Sequence, residues 1–243
     1  MKSVIITGSN GGIGSAICSH FLKLRYKVIG IDLGEDRNHL DSYLSCDLSK
    51  LKISTICDSF TASLQSEIGD SHLVGLVNNA ALQVCGGIES ISVEDFSRSL
   101  DVNVVAPFIL SKICFSNLKE NSGSIVNIGS IHSKLTKPNF VAYATSKSAL
   151  LGLTQSLAVD CGASIRVNAI QPAAIATEML LDGFKDNPDS YSKLRDYHPT
   201  KSIGETSEIA RVVEFLLLQS NKFLNGSVID VSGGISCRLH DPV

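Results

Sequence analysis

Short apolar runs rich in β-branched residues alternate along the chain with longer stretches whose apolar positions recur every three or four residues. Val4-Ile5-Ile6 is the first run, and it ends in a glycine cluster. Residues 13–24 follow with a helical period, and Lys27-Val28-Ile29-Gly30-Ile31-Asp32 is a second apolar run closed by an acid. Such runs predict buried strands, and the periodic stretch between them predicts a helix. The same rhythm predicts strands at 42–46, 73–77, 124–128, 165–170 and 227–231, with helices at 54–68, 93–118 (one or two), 142–160 and 208–219. About seven strands alternating with helices predict an α/β fold with a doubly wound parallel sheet, covered on both faces.

Asp32 and Asp47 stand too close together for a helix between the second and third strands. Residues 179–204, which carry Pro188, Tyr191 and Pro199, show no clear period. They are expected to form an irregular lid or substrate loop. No linker, repeat or low-complexity tract divides residues 1–243, so a single domain is expected.

Composition narrows the class. Hydrophobic residues make up 44% of the chain and charged residues 19%, which excludes disorder. The net charge of −3 argues against a nucleic-acid partner, which would need a basic footprint. No uninterrupted apolar run approaches the roughly 18 residues that span a bilayer, so no membrane partner is expected. Met1-Lys2-Ser3-Val4-Ile5-Ile6-Thr7 reaches glycine too soon for a signal peptide. The 7 cysteines are odd in number and scattered, with no Cys-x-x-Cys pair. That argues against a metal site or a disulfide framework, and for packing residues in a reducing, cytoplasmic setting.

Two groups of residues carry candidate chemistry. Thr7-Gly8-Ser9-Asn10-Gly11-Gly12-Ile13-Gly14 joins the first strand to the first helix. Glycines at that place let the backbone approach a pyrophosphate, which meets free N–H groups and the positive end of the helix dipole. An ordinary structural turn is the alternative. Asp32 follows Gly8 by 24 residues. A carboxylate there can accept from ribose hydroxyls and repel a 2′-phosphate, which favours NAD over NADP. The glycine turn holds no Lys or Arg, Arg37 stands five residues past the acid, and a solvated strand-end carboxylate is the plain alternative. The second group is Tyr143 and Lys147, at i and i+4 on one helix face, with Ser130 just past a strand. A nearby ammonium favours a phenolate, so Tyr143 can exchange a proton with a substrate oxygen. Taken alone, the same spacing describes many surface helix pairs.

In order along the chain stand Gly8, Gly12, Ile13 and Gly14; Asp47-Leu48; Asn78-Asn79-Ala80; Asn103; Ser130; Tyr143-x-x-x-Lys147; and Pro172 with Thr177. Ser130 precedes Tyr143 by 13 residues. The chain thereby resembles the short-chain dehydrogenase/reductase family, in its single-domain branch, over its whole length. The resemblance implies a Rossmann-type sheet and hydride transfer between nicotinamide C4 and a secondary alcohol or ketone. It implies catalytic roles for Asn103, Ser130, Tyr143 and Lys147. Tyr143 would be the general acid/base, Ser130 would orient the substrate oxygen, and Lys147 would bind the nicotinamide ribose and lower the Tyr143 pKa. Asn103 would kink its helix and support a water-mediated proton relay. Cofactor contacts would come from Gly8, Asn10, Gly12, Ile13, Gly14, Asp32, Asp47, Leu48, Asn79, Ala80, Tyr143, Lys147, Pro172, Ile175 and Thr177.

Plainer roles exist for several of these. Asn79 and Asn103 can satisfy buried backbone groups, and Thr177 and Asp47 can cap helices. Two positions depart from the family pattern, Ala81 and Ala173 standing where glycine is usual. Each adds a methyl beside the expected nicotinamide or substrate. Specificity is expected from residues 81–85, 131–139, 173–174 and 179–198, which hold Gln83, His132, Lys134, Lys137, Lys185 and Arg195. A sugar derivative or hydroxy acid suits these side chains, while Leu180, Leu181 and Phe184 leave a sterol open. A 3-oxoacyl-[acyl-carrier-protein] reductase and a non-catalytic dinucleotide sensor are the alternatives. The resemblance also implies a homotetramer or homodimer built on helices 102–118 and 142–160, and the tail 235–243 can reach a neighbouring subunit.

Overall fold

The structure is a computed structural model that describes residues 1–185 and 187–239, with all side chains among them except that of Met179. Strand β1 (Lys2–Thr7) leads into helix α1 (Gly12–Lys23), then β2 (Lys27–Asp32) and β3 (Ser42–Ser45). Helix α2 (Ser54–Ile68), β4 (His72–Asn78), α3 (Val93–Leu100) and α4 (Ala106–Glu120) follow, a π turn at Asp101–Val105 joining the last two. Then come β5 (Ser124–Ile128), α5 (Val141–Cys161), β6 (Arg166–Pro172), α6 (Glu178–Phe184), α7 (Pro188–Tyr197), α8 (Thr206–Leu218) and β7 (Val228–Val231).

All seven strands form one parallel sheet in the order β3-β2-β1-β4-β5-β6-β7. Strand alternation sends successive side chains to opposite faces. Ile5, Ile29 and Leu76 pack under α2, α4 and α5 with Phe60, Leu64, Leu110 and Cys114. Val4, Ile6, Val28 and Val77 pack under α1 and α8 with Ile17, Phe21, Ile209 and Val213. Both faces are dry, which is why the strands read as unbroken apolar runs. The sheet reverses its direction of growth between β1 and β4, and crevices outside the carboxyl ends of strands form at such a point.

Three features differ from the sequence expectation. Residues 179–204 are largely helical rather than irregular. Thr177 caps α6 and Asn187 caps α7, and Pro188 sits in the first turn of α7. A proline there lacks only an N–H that has no helical partner, so it starts the helix instead of breaking it. The run Val93–Glu120 is long and apolar enough to cross a membrane, with mean hydropathy 1.3. Its Ala106, Leu110, Cys114 and Leu118 are buried against the sheet, which accounts for that hydropathy. The cysteines are all free thiols, but Cys85 and Cys237 are exposed and not packing residues. Burial pushes the thiols of Cys18 and Cys114 up to about 12.

Candidate active site

The turn after β1 is held open by its own backbone. Gly8 has φ +64°, and a Cβ there would lie 2.8 Å from the Ala80 Cα. A Cβ on Gly14 would lie 1.9 Å from the Gly8 carbonyl oxygen, and one on Gly12 would lie 3.0 Å from the Thr177 Cγ2. The helix begins at Gly12 behind a Gly11 with no side-chain cap and no acid in the first turn. Ser15 N–H, bonded to the Gly11 carbonyl at 2.7 Å, is the first to turn back into the helix. The amides of Gly12, Ile13 and Gly14 therefore have no intrahelical partner and suit an anion. The residues present fit the pyrophosphate of a dinucleotide.

Asp32, at the end of β2, accepts from Asn10 N at 2.8 Å and Leu33 N at 2.7 Å. Asn10 itself is bound to the segment after β2, through the Glu35 carbonyl at 3.0 Å and the Arg37 amide at 2.9 Å. Asp47 caps a short 3-10 turn at Leu48–Lys50, its Oδ1 accepting from Ser49 N at 3.1 Å and Ser49 Oγ at 2.6 Å. Those bonds to Ser49 hold its carboxyl below the usual range. Asn79 donates to the carbonyls of Thr7 at 2.9 Å and Gly8 at 3.1 Å, tying the turn to the end of β4.

Tyr143 and Lys147 rise from the first half of α5 beside Ser130, which follows β5. Burial pushes the Tyr143 phenol up, and a hydrogen bond with Ser130 opposes this. Lys147 is 2% exposed and donates to the Ile128 carbonyl at 2.8 Å. Its ammonium stands 5.7 Å from the Tyr143 ring centroid, and burial lowers its pKa to about 8. The Lys147 ammonium donates one of its three N–H bonds to the Ile128 carbonyl, and for the phenol burial is the larger effect.

These groups converge on one open cleft of about 870 Å³. Gly8, Asn10, Gly12, Ile13, Gly14, Asp32, Asp47, Leu48, Asn79 and Ala80 line the cleft, and so do Ser130, Tyr143, Lys147, Pro172, Ile175 and Thr177. Asn103 does not. It lies in the π turn, 1% exposed, and bonds to Leu82 N at 2.7 Å, Leu82 O at 2.9 Å and Ser146 Oγ at 2.8 Å. The π turn interrupts the helix at this residue, and its side-chain amide ties the turn to Leu82 and to α5.

Gln83, His132 and Lys137 reach the cleft, as do Ala81 and Ala173. Lys134 instead lies 3.9 Å from Asp230, and Arg195 pairs with Asp196 at 2.9 Å. Burial first, then the Lys137 charge, lowers the His132 pKa. The ring of His132 packs 4.6 Å from that of Phe140, which lies 5.9 Å from that of Tyr143. Arg98, Phe140 and Ile235 also line the cleft, and sequence reasoning missed them. Arg98 lies on α3, five residues before Asn103, and Ile235 lies beyond β7; no local pattern marks either as a cleft residue.

A family model described as enoyl-(acyl carrier protein) reductase matches residues 8–236. An uncharacterized oxidoreductase of Thermotoga maritima is 34% identical over 242 residues, covering 96% of each chain. The chain belongs to the short-chain dehydrogenase/reductase family. Among solved structures of this family, the ligand-free aldohexose dehydrogenase of Thermoplasma acidophilum superposes with TM-score 0.89 at 31% identity, covering 100% of this chain and 96% of that one. A 4-hydroxyisoleucine dehydrogenase complexed with NADH superposes with TM-score 0.88 at 30% identity, covering 98% and 100%.

Proposed function

We propose that the protein is an NAD-dependent oxidoreductase that interconverts a small secondary alcohol and its ketone. The observation that carries this reading is the meeting of Ser130, Tyr143 and Lys147 in the same cleft as the glycine turn. A bound nicotinamide supplies the hydride acceptor or donor. Gly12, Ile13 and Gly14 offer their amides to the pyrophosphate, and Asp32 offers its carboxylate to the adenosine ribose. Ser130 donates to the substrate oxygen. In oxidation Tyr143, as phenolate, takes the hydroxyl proton; in reduction the phenol returns it. Lys147 places its ammonium near the nicotinamide ribose, and Asn103 positions α5 through Ser146. Thr177 and Ile175 close the wall where the carboxamide would lie.

The NAD preference rests on Asp32, whose position two amides fix at the strand end. Seven free thiols suit a reducing compartment and support a cytoplasmic location. The test is NADH absorbance during incubation with NAD and a panel of secondary alcohols, and with NADH and the matching ketones. Acyl-carrier-protein thioesters belong in the panel because the family model carries that description. Turnover by the wild type and a loss of about a hundredfold or more in Tyr143→Phe supports the reading. Nucleotide binding without turnover of any member would overturn it in favour of a sensor.

A further inference from the structure

His198 ends α7 and is 2% exposed, yet it lines the cleft together with Leu180, Phe184, Leu194 and Ile235. Its Nδ1 lies 2.9 Å from the Leu194 carbonyl oxygen. A carbonyl only accepts, so Nδ1 carries the proton, and in the neutral ring Nε2 is left as an acceptor. That Nε2 is buried and has no hydrogen-bond partner. The ring is pinned. The His198 amide donates to Arg195 O at 3.1 Å, and the His198 carbonyl accepts from Lys201 N at 2.8 Å. A Cβ on Gly233, which has φ +55°, would make ordinary van der Waals contact with the ring, 3.5 Å from the His198 Cδ2.

A buried acceptor without a partner is costly, and folded proteins rarely leave one unpaired without a reason. Its neighbours on the cleft wall, Leu180, Phe184, Leu194 and Ile235, have apolar side chains and offer no donor. His198 itself lines the cleft, so a donor that enters the cleft can supply the missing partner. We infer that His198 is a specificity-determining residue whose Nε2 accepts a hydrogen bond from a substrate hydroxyl other than the one that reacts. The substrate class this selects is a polyhydroxylated alcohol or its ketone. A hydrocarbon would leave that nitrogen unpaired. The inference rests on the alcohol/ketone reading proposed above.

The test compares cyclohexanol with the cyclohexane-1,2-, 1,3- and 1,4-diols and with aldohexoses, using NAD and the intact protein. The polyols are expected to show the higher kcat/KM. In His198→Leu that value should fall about tenfold or more for the preferred polyol and change little for cyclohexanol. His198→Gln, which keeps an acceptor, should restore part of the loss. Equal losses on both substrates, or none, would overturn the inference while leaving the alcohol/ketone reading intact. A second readout needs neither turnover nor a folded variant. Imidazole ¹⁵N spectra of the wild type should show the His198 Nε2 resonance moving upfield as glucose or cyclohexane-1,2-diol is added. A resonance unmoved by every polyol would overturn the inference, whereas a shift without turnover would support polyol binding and count against the catalytic reading.

Discussion

The Lys147 ammonium is held on the Ile128 carbonyl at 2.8 Å, in a site where the lysine is 2% exposed. Burial brings its pKa from 10.5 to about 8. The unfolded chain therefore binds more protons between those values, and stability rises with pH across that window. Below about pH 8 the full cost applies, about 3 kcal/mol. Lys147→Met removes that cost but leaves the carbonyl unpaired. Denaturant titration of both proteins should show the wild type gaining on the variant between pH 7 and pH 10. A constant difference would mean that Lys147 keeps its ordinary pKa.

Tyr143 sets a second pH dependence. Burial holds its phenol above the usual value, so the phenolate fraction keeps growing through the alkaline range. The kcat/KM for alcohol oxidation reports on the free enzyme. It is expected to climb from pH 7 to pH 10 without levelling, while that for ketone reduction does not rise. A plateau near neutrality would show that the phenol ionises early.

Asp32 is expected to govern the choice between NAD and NADP. Its carboxylate repels a 2′-phosphate, and Arg37 lines the same part of the cleft. Asp32→Ser should raise the ratio of kcat/KM with NADP to that with NAD by about tenfold or more. Taking the ratio cancels the loosening of the Asn10 turn that the same substitution causes. A ratio unchanged by the substitution would remove Asp32 from cofactor choice.

We propose that the exposed face of α5 joins two copies of the chain. Ser148, Ala149 and Gly152 are exposed along it, and a Cβ on Gly152 would meet nothing within 4 Å. Small residues in such a stripe permit close helix approach. Light scattering should give a multiple of the 25.9 kDa chain mass. The Cβ that Gly152→Trp adds meets nothing in the single chain, and the variant should lower that mass at least twofold. A wild type that scatters as a monomer, or a variant whose mass is unchanged, would exclude this face.

Much of the site was legible because its parts are local. The turn from Gly8 to Gly14 needs glycine for reasons of backbone contact, and Tyr143 and Lys147 share a helix face by period alone. Thr177 and Asp47 could be read as caps from the residues after them, and both are caps. Asn103 was legible as a residue but not as a geometry. Its bonds run to Leu82 and Ser146, 21 and 43 residues away, and no spacing rule connects them. Pro188 misled for the opposite reason, since a proline breaks a helix or begins one according to its place, and only the cap at Asn187 decides.

The sequence by itself determined the alternation of strands and helices, the dinucleotide turn and the Tyr143–Lys147 pair. These depend on residues within one or two turns of each other, where periodicity and glycine sterics act. The tertiary structure alone decided that Lys147 donates to the Ile128 carbonyl, that Asn103 stands behind the cleft, and that Arg98 and Ile235 line it. Those facts depend on desolvation and on contacts across the sheet, which exist only once distant segments have packed together.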